Sequence, residues 1–313
     1  RSFPKLESVE SIIESLATAG YICNEQIATV VYLAAALEKP ILVEGPPGVG
    51  KTELAKSCAQ ITGAPLLRLQ CYEGLDESKA IYEWKYGKQL LYTQLLKTQL
   101  SEVMEGAQGL RASVERLHSF DDVFFSREFL EPRPLLQAID AEGGVVLLVD
   151  EIDKADFEFE SLLLEVLSDF QVSIPELGTL KGRSKPLVFL TSNDTRDLSD
   201  ALKRRCLHLH IDFPTTELEG RIVRARVPQI TEAMTDHLVT FVSRVREMDL
   251  KKLPSVSETI DWAKSLVLLH ADSLDEELVR SSLSVLLKYE EDLTSVVENL
   301  VDLLNTKKQA ANA

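Results

Sequence analysis

Residues 41–56 read ILVEGPPGVGKTELAK, and this stretch admits few folds. An apolar run at Ile41 to Val43 gives way, within Gly45 to Thr52, to three glycines, two prolines and a lysine. Leu54, Ala55, Cys58 and Ile61 then recur at helical spacing. A strand that passes through a tight turn into a helix needs parallel neighbours for that helix to cover, which is the βαβ unit. ILVEG (41–45), LLRLQ (66–70), VVLLVD (145–150), PLVFLTSN (186–193) and LHLHIDF (207–213) read as strands. Their almost continuous apolar character suits strands buried on both faces. Leu163, Val166, Leu167 and Phe170 mark another intervening helix. The expected fold is a doubly wound α/β layer, a parallel five-stranded sheet flanked by helices.

Beyond Pro214 only helical signals follow. TTELEG is expected to open a helix with Thr216 and Glu219 as its capping box. Leu238, Phe241, Val242 and Val245, and later Val296, Val297, Leu300, Leu303 and Leu304, keep helical apolar spacing. Two domains are therefore expected: residues 1–213 as the α/β unit and residues 214–313 as a small all-helical lid, ending in a frayed KKQAANA tail. The 45% hydrophobic and 27% charged composition fits a chain able to form a core and excludes a disordered one.

The longest apolar runs, such as VVYLAAAL and VVLLV, fall far short of the roughly 20 residues that span a bilayer, and no leader pattern opens the sequence. A cytoplasmic protein without a membrane span is expected. Cys23, Cys58, Cys71 and Cys206 form no CxxC pair and have no histidine at ligand spacing, so they read as buried thiols rather than metal ligands or disulfides. The formal net charge of -16 argues against broad contact with a phosphate backbone, so no nucleic-acid partner is expected. Lys203 to Arg205 is the densest basic cluster, too small for a DNA footprint.

GPPGVGKT, placed between strand and helix, fits the G-x-x-x-x-G-K-[ST] phosphate-binding loop. Gly45, Pro46, Pro47, Gly48, Val49, Gly50, Lys51 and Thr52, with Glu53 beside them, are the candidate nucleotide-binding residues. Such a loop aims backbone N–H groups at an anion, and the helix after it adds its positive end. Lys51 is expected to reach the β- and γ-phosphates and Thr52 to hold Mg²⁺. VVLLVDEID delivers Asp150 and Glu151 to the carboxyl end of a strand, where open α/β sheets bind ligands. Asp150 is expected to bind Mg²⁺ and Glu151 to act as general base on the attacking water. A lone acidic pair after a strand is ordinarily a solvated turn; beside the phosphate loop the catalytic reading prevails. Asn193, ending FLTSN at the same edge, is expected to orient that water, although Ser-Asn after a strand is commonly only a turn.

Together GPPGVGKT, LLVDEID, TSN and ALKRRC resemble an AAA+ ATPase of the MoxR family. EFESLLLEVLSDFQVSIPELGT, TSNDTRDLSDALKRRC and SVSETIDWA look like its CoxD branch, which matures carbon monoxide dehydrogenase and related molybdenum hydroxylases. The resemblance implies ATP and Mg²⁺ as ligands, a ring oligomer, usually a hexamer, an adaptor with a von Willebrand factor A domain, and a metalloenzyme client. It also implies a helix 2 insertion at about residues 72–100 and a hairpin within residues 169–186. Arg205 looks like the arginine finger of a neighbouring subunit and Arg204 like a second contact; a helix end whose dipole favours cations is the alternative, chiefly for Arg204. The family's sensor 2 arginine has no counterpart in LPSVSETIDW, where Glu258 and Asp261 read as an acidic first turn. A nucleic-acid motor and a non-hydrolysing nucleotide switch share the phosphate loop; the acidic charge opposes the first, and Glu151, Asn193 and Arg205 oppose the second.

Overall fold

In the computed structural model, which describes residues 3, 6–92, 94, 125–175, 177–271 and 273–305, the expected strands form β1 (Ile41–Glu44), β2 (Leu66–Gln70), β5 (Val146–Asp150), β8 (Leu187–Ser192) and β9 (Leu207–His210). They make one sheet in the order β2-β5-β8-β1-β9, every neighbouring pair parallel. Side chains alternate across it. Leu42, Leu147, Val149, Val188 and Leu190 join one core cluster, while Ile41, Val43, Val146, Leu148, Leu187, Phe189 and Leu209 join a second on the other face. The first cluster is capped by helices Pro134–Asp140 and Phe157–Asp169, the second by helices Val9–Thr18, Glu25–Leu37 and Lys51–Thr62. Burial on both faces is why the strands carry apolar runs rather than alternating polar residues.

Two short antiparallel ladders decorate this layer. β6 (Gln171–Ile174) and β7 (Gly178–Lys181) form the hairpin expected ahead of β8. β3 (Tyr82–Trp84) pairs with β4 (Leu130–Pro132), a pairing with no sequence expectation behind it. Residues 93 and 95–100 of the segment where the helix 2 insertion is expected, and the KKQAANA tail, lie outside the described residues.

The C-terminal helices bury a separate cluster, built only from residues between Val223 and Leu300. The helix after Pro214 starts differently from expectation: helix Thr216–Arg226 is capped by Thr215, whose hydroxyl accepts from the Leu218 N–H at 3.3 Å. With Thr215 as the cap the third helical position is Leu218, so no capping box forms, and Glu219 instead receives Arg246, with Nη1 and Nη2 at 2.6 and 2.8 Å from its two carboxylate oxygens. Arg246 also donates to the Pro254 carbonyl and the Thr259 hydroxyl, and its guanidinium lies 4.6 Å from the Phe213 ring centroid. One arginine thus joins three helices to the chain that enters them. Among the described residues no helix is long and apolar enough to cross a membrane.

Glu219 is 1% exposed, so removing its partner strands a buried charge. Arg246→Met is expected to lower unfolding free energy by about 3–5 kcal/mol. Lys264→Ala, which breaks an exposed pair with Asp261, is expected to cost at most about 1 kcal/mol. Urea titration followed by circular dichroism measures both.

Candidate active site

The turn after β1 is built on positive φ angles: +143° at Gly45, +77° at Gly48 and +101° at Gly50. Gly45 also has no room for a side chain, since a Cβ there would sit 1.9 Å from the Ile211 carbonyl oxygen. Helix Lys51–Thr62 begins directly after the turn. Lys51, 6% exposed, donates from Nζ to the Gly45 and Pro46 carbonyls at 2.6 and 2.7 Å. Burial draws its ammonium below the usual lysine range, while the carboxylates of Asp153, Asp194, Asp150 and Glu151 pull the other way.

Asp150 ends β5 at the centre of the site and is 3% exposed. Its Oδ1 accepts from Thr52 at 2.9 Å and from Thr191 at 2.6 Å. Its Oδ2 accepts from Arg68 Nε and Nη2 at 3.1 and 2.6 Å. The next residue, Glu151, has φ +57°, in the left-handed region. Glu151 accepts from Gln70 at 2.9 Å, Lys154 at 2.5 Å and Asn193 at 3.4 Å, and its N–H donates to the Thr191 hydroxyl at 2.8 Å. The Lys154 ammonium is held above the usual lysine range, chiefly by that bond to Glu151. Lys51, Thr52, Asp150, Glu151 and Asn193 therefore meet at the carboxyl end of the sheet, as their sequence positions predict.

Several participants were not foreseen. Arg68 and Gln70 lie two residues apart on β2, on one face, and both reach over to the β5 acids. Polar residues at alternate positions in the otherwise apolar LLRLQ were the available signal. Thr191 precedes the expected Asn193. Arg196 braces the loops behind the site: it ion-pairs with the buried Glu160 at 2.6 Å, bonds the Ala155 carbonyl and stacks on Phe157.

Beside the loop opens a cavity of about 500 Å³, lined by Tyr21, Ile22, Asn24, Val49, Phe213, Arg226 and Ile260 among others. Four parts of the chain wall it: the N-terminal segment, the phosphate loop, the stretch that follows β9 and the C-terminal helices. The helix Val256–Leu268 begins at the loop itself, where the Ser257 N–H donates to the Gly48 carbonyl at 3.3 Å. Glu258 serves the capping box of that helix with Ser255, while Asp261 is an exposed partner of Lys264. Arg204 and Arg205 are not part of this site. Both are exposed at the end of helix Asp200–Arg205, ahead of the amino end of β9, and Arg205 bonds Ser168 and the Ala201 carbonyl. Of the cysteines, Cys23 and Cys71 are buried, which pushes their thiols up to about 11 and 12; Cys58 is buried as well and Cys206 partly so.

Residues 40–206 match the profile of the AAA domain, dynein-related subfamily. The chain belongs to this family. The AAA fold accounts for the five-stranded parallel sheet, the flanking helices and the C-terminal helical region, and members of the family couple nucleotide hydrolysis to their work. Similar chains include an uncharacterized protein of Staphylococcus aureus (strain NCTC 8325 / PS 47), 25% identical over 238 residues that cover 74% of this chain and 76% of that one. A Staphylococcus epidermidis protein is 24% identical over the same shares. Among solved structures, the Thermotoga maritima RuvB Holliday junction branch migration motor aligns over 96% of this chain and 79% of its own, at 18% identity and a TM-score of 0.46. A point mutant of that RuvB aligns at 18% identity and a TM-score of 0.49, over 96% of this chain and 80% of its own. Likeness at this level bears on no residue's role.

Gly48 is the point where loop and C-terminal helices touch. A Cβ on it would lie 2.3 Å from the Ser255 Cβ, and its φ disfavours any side chain. Gly48→Ala is therefore expected to force the helix start off the loop and raise the dissociation constant of nucleotide about tenfold or more, given roughly 1–3 kcal/mol of backbone strain plus the collision. Isothermal calorimetry with ADP reads this, and an unchanged affinity would show that the contact between Gly48 and Ser255 does not govern binding.

Proposed function

We propose that this AAA domain is a Mg²⁺-dependent ATPase of the MoxR family, in its CoxD branch, that works as a ring, usually a hexamer, to remodel a protein client. The observation that carries the ATPase reading is the meeting of Lys51, Thr52, Asp150, Glu151 and Asn193 beside the cavity at one sheet edge. The cavity suits the nucleoside and the loop's N–H groups suit the phosphates. Glycine-only backbone at Gly45 lets the loop approach an anion closely. Oxygen donors favour a hard cation, so the paired Thr52 hydroxyl and Asp150 carboxylate fit Mg²⁺, which when bound supplies charge that neutralises the phosphate oxygens.

In this reading Lys51 leaves the Gly45 and Pro46 carbonyls to meet the phosphates. Glu151 accepts a proton from the attacking water, and Asn193, already 3.4 Å from its carboxylate, holds that water in line. Residues 1–213 form the catalytic domain and 214–313 the lid, which meets the loop through Ser255 and Ser257 where the family carries an arginine. The hairpin β6–β7 sits where the MoxR resemblance expects one. That resemblance, rather than any contact seen here, suggests the von Willebrand factor A adaptor and the metalloenzyme client. A cytoplasmic location follows from the same reading.

Glu151→Gln keeps the shape of the side chain and loses the base. It is expected to bind ATP as well as the wild type while phosphate release falls by about 10² to 10⁴. Normal turnover would place the base elsewhere.

Arg205 lies ahead of the amino end of β9, whereas the phosphate loop follows the carboxyl end of the parallel β1. A single chain thus holds them at opposite ends of these adjacent parallel strands, which supports action on a neighbouring copy. Arg205→Ala should leave ATP binding intact and lower turnover about 10³- to 10⁵-fold. Mixing it with Lys51→Ala subunits should restore part of the activity, because only mixed interfaces unite an intact loop with an intact finger. A flat profile of phosphate release against mixing ratio would leave Arg205 without that role.

A further inference from the structure

The Asp150 carboxylate has no acceptor capacity to spare. A carboxylate offers about four lone-pair positions. Thr52 and Thr191 take two on Oδ1, and Arg68 Nε and Nη2 take two on Oδ2. Any hydrated cation held by Asp150 must donate from its waters to one of these oxygens, so one present donor has to leave. Thr191 cannot easily do so: it is 1% exposed and also receives the Glu151 N–H. Thr52 sits on the phosphate-loop helix and would itself ligate the cation. Arg68 differs from both. Its side chain is 48% exposed on β2, the edge strand, and open solvent is available to it. Its positive charge also makes it the donor least compatible with a second cation on the same oxygen.

We propose that Arg68 is a built-in rival of Mg²⁺: it neutralises the buried Asp150 carboxylate through Oδ2 and must vacate that oxygen before the metal carboxylate can accept a hydrated cation. Arg68 thereby sets the Mg²⁺ concentration at which the site loads nucleotide. The same movement reaches the neighbouring acid, because Arg68 Nη2 also donates at 2.7 Å to Gln70, whose amide holds Glu151. Release of Arg68 removes one restraint on Gln70, and with it part of what fixes Glu151 beside Lys154. Arg68 acts here as a positioning residue. The inference rests on the ATPase reading, since it needs Mg²⁺-nucleotide at this site.

The test is equilibrium binding of a fluorescent ADP analogue while Mg²⁺ is titrated, with the wild type, Arg68→Gln and Arg68→Lys. A charge-assisted pair lost from one side of the competition should lower the half-saturating Mg²⁺ of Arg68→Gln about 3- to 30-fold, with Arg68→Lys between the two. Affinity for the analogue in EDTA should stay as in the wild type. Thermal melting in EDTA should show a lower midpoint for Arg68→Gln, because Asp150 loses its counter-charge. A merely structural Arg68 would lower that midpoint without moving the Mg²⁺ dependence, and this result overturns the proposal. A higher half-saturating Mg²⁺ overturns it too, as does weaker binding in EDTA, which would assign Arg68 to the nucleotide. Should Arg68→Gln fail to fold, Arg68→Lys alone decides by the direction of its shift. Wild-type binding indifferent to Mg²⁺ would sink the ATPase reading itself and the rivalry with it, whereas Mg²⁺-dependent binding that Arg68 does not affect sinks only the rivalry.

Discussion

A carboxylate with 3% exposure at the end of a central strand is a liability unless every lone pair is met, and Asp150 shows how the surrounding chain meets it. Its partners come from the helix after the phosphate loop, from β8 and from β2, which are three different pieces of the fold. Their positions follow from strand order: β5 lies between β2 and β8, so only those strands can offer side chains beside it. The buried charge thus fixes the mutual register of the loop and three strands more tightly than the apolar core alone, which tolerates hydrophobic exchange. Glu151 extends the same arrangement outward, with Thr191 serving both acids at once.

The five strands were legible because burial on both faces writes an apolar run into the sequence, and their bounds shift by only a few residues. The phosphate loop was legible for a sharper reason: Gly45, Gly48 and Gly50 hold backbone angles that other residues resist. Arg68 and Gln70 were not, although LLRLQ is visibly polar at alternate positions. Their meaning depends on β2 lying against β5, and some eighty residues separate Arg68 from Asp150. Helix Thr216–Arg226 shows the same limit in miniature. Two adjacent threonines both suit a cap; the one used, Thr215, puts Leu218 at the third helical position, and Glu219 pairs with an arginine 27 residues later.

The C-terminal helices meet the loop through small residues. Ser255 and Ser257 lie against Gly48, and Arg226 reaches Glu53 at 3.3 Å from the opposite wall of the cavity. Serines at a helix start bring no fixed charge, so the closeness of this contact matters more than its electrostatics. The exposed Arg226–Glu53 pair contributes little by itself.

The walls of the cavity belong to two hydrophobic cores that are otherwise separate. A molecule that binds there touches residues packed on both, and by mass action it stabilises the state in which the two are folded and joined. Linkage then runs backward as well: whatever pulls on the C-terminal helices loosens the grip on the ligand by the same free energy with which the ligand holds those helices in place.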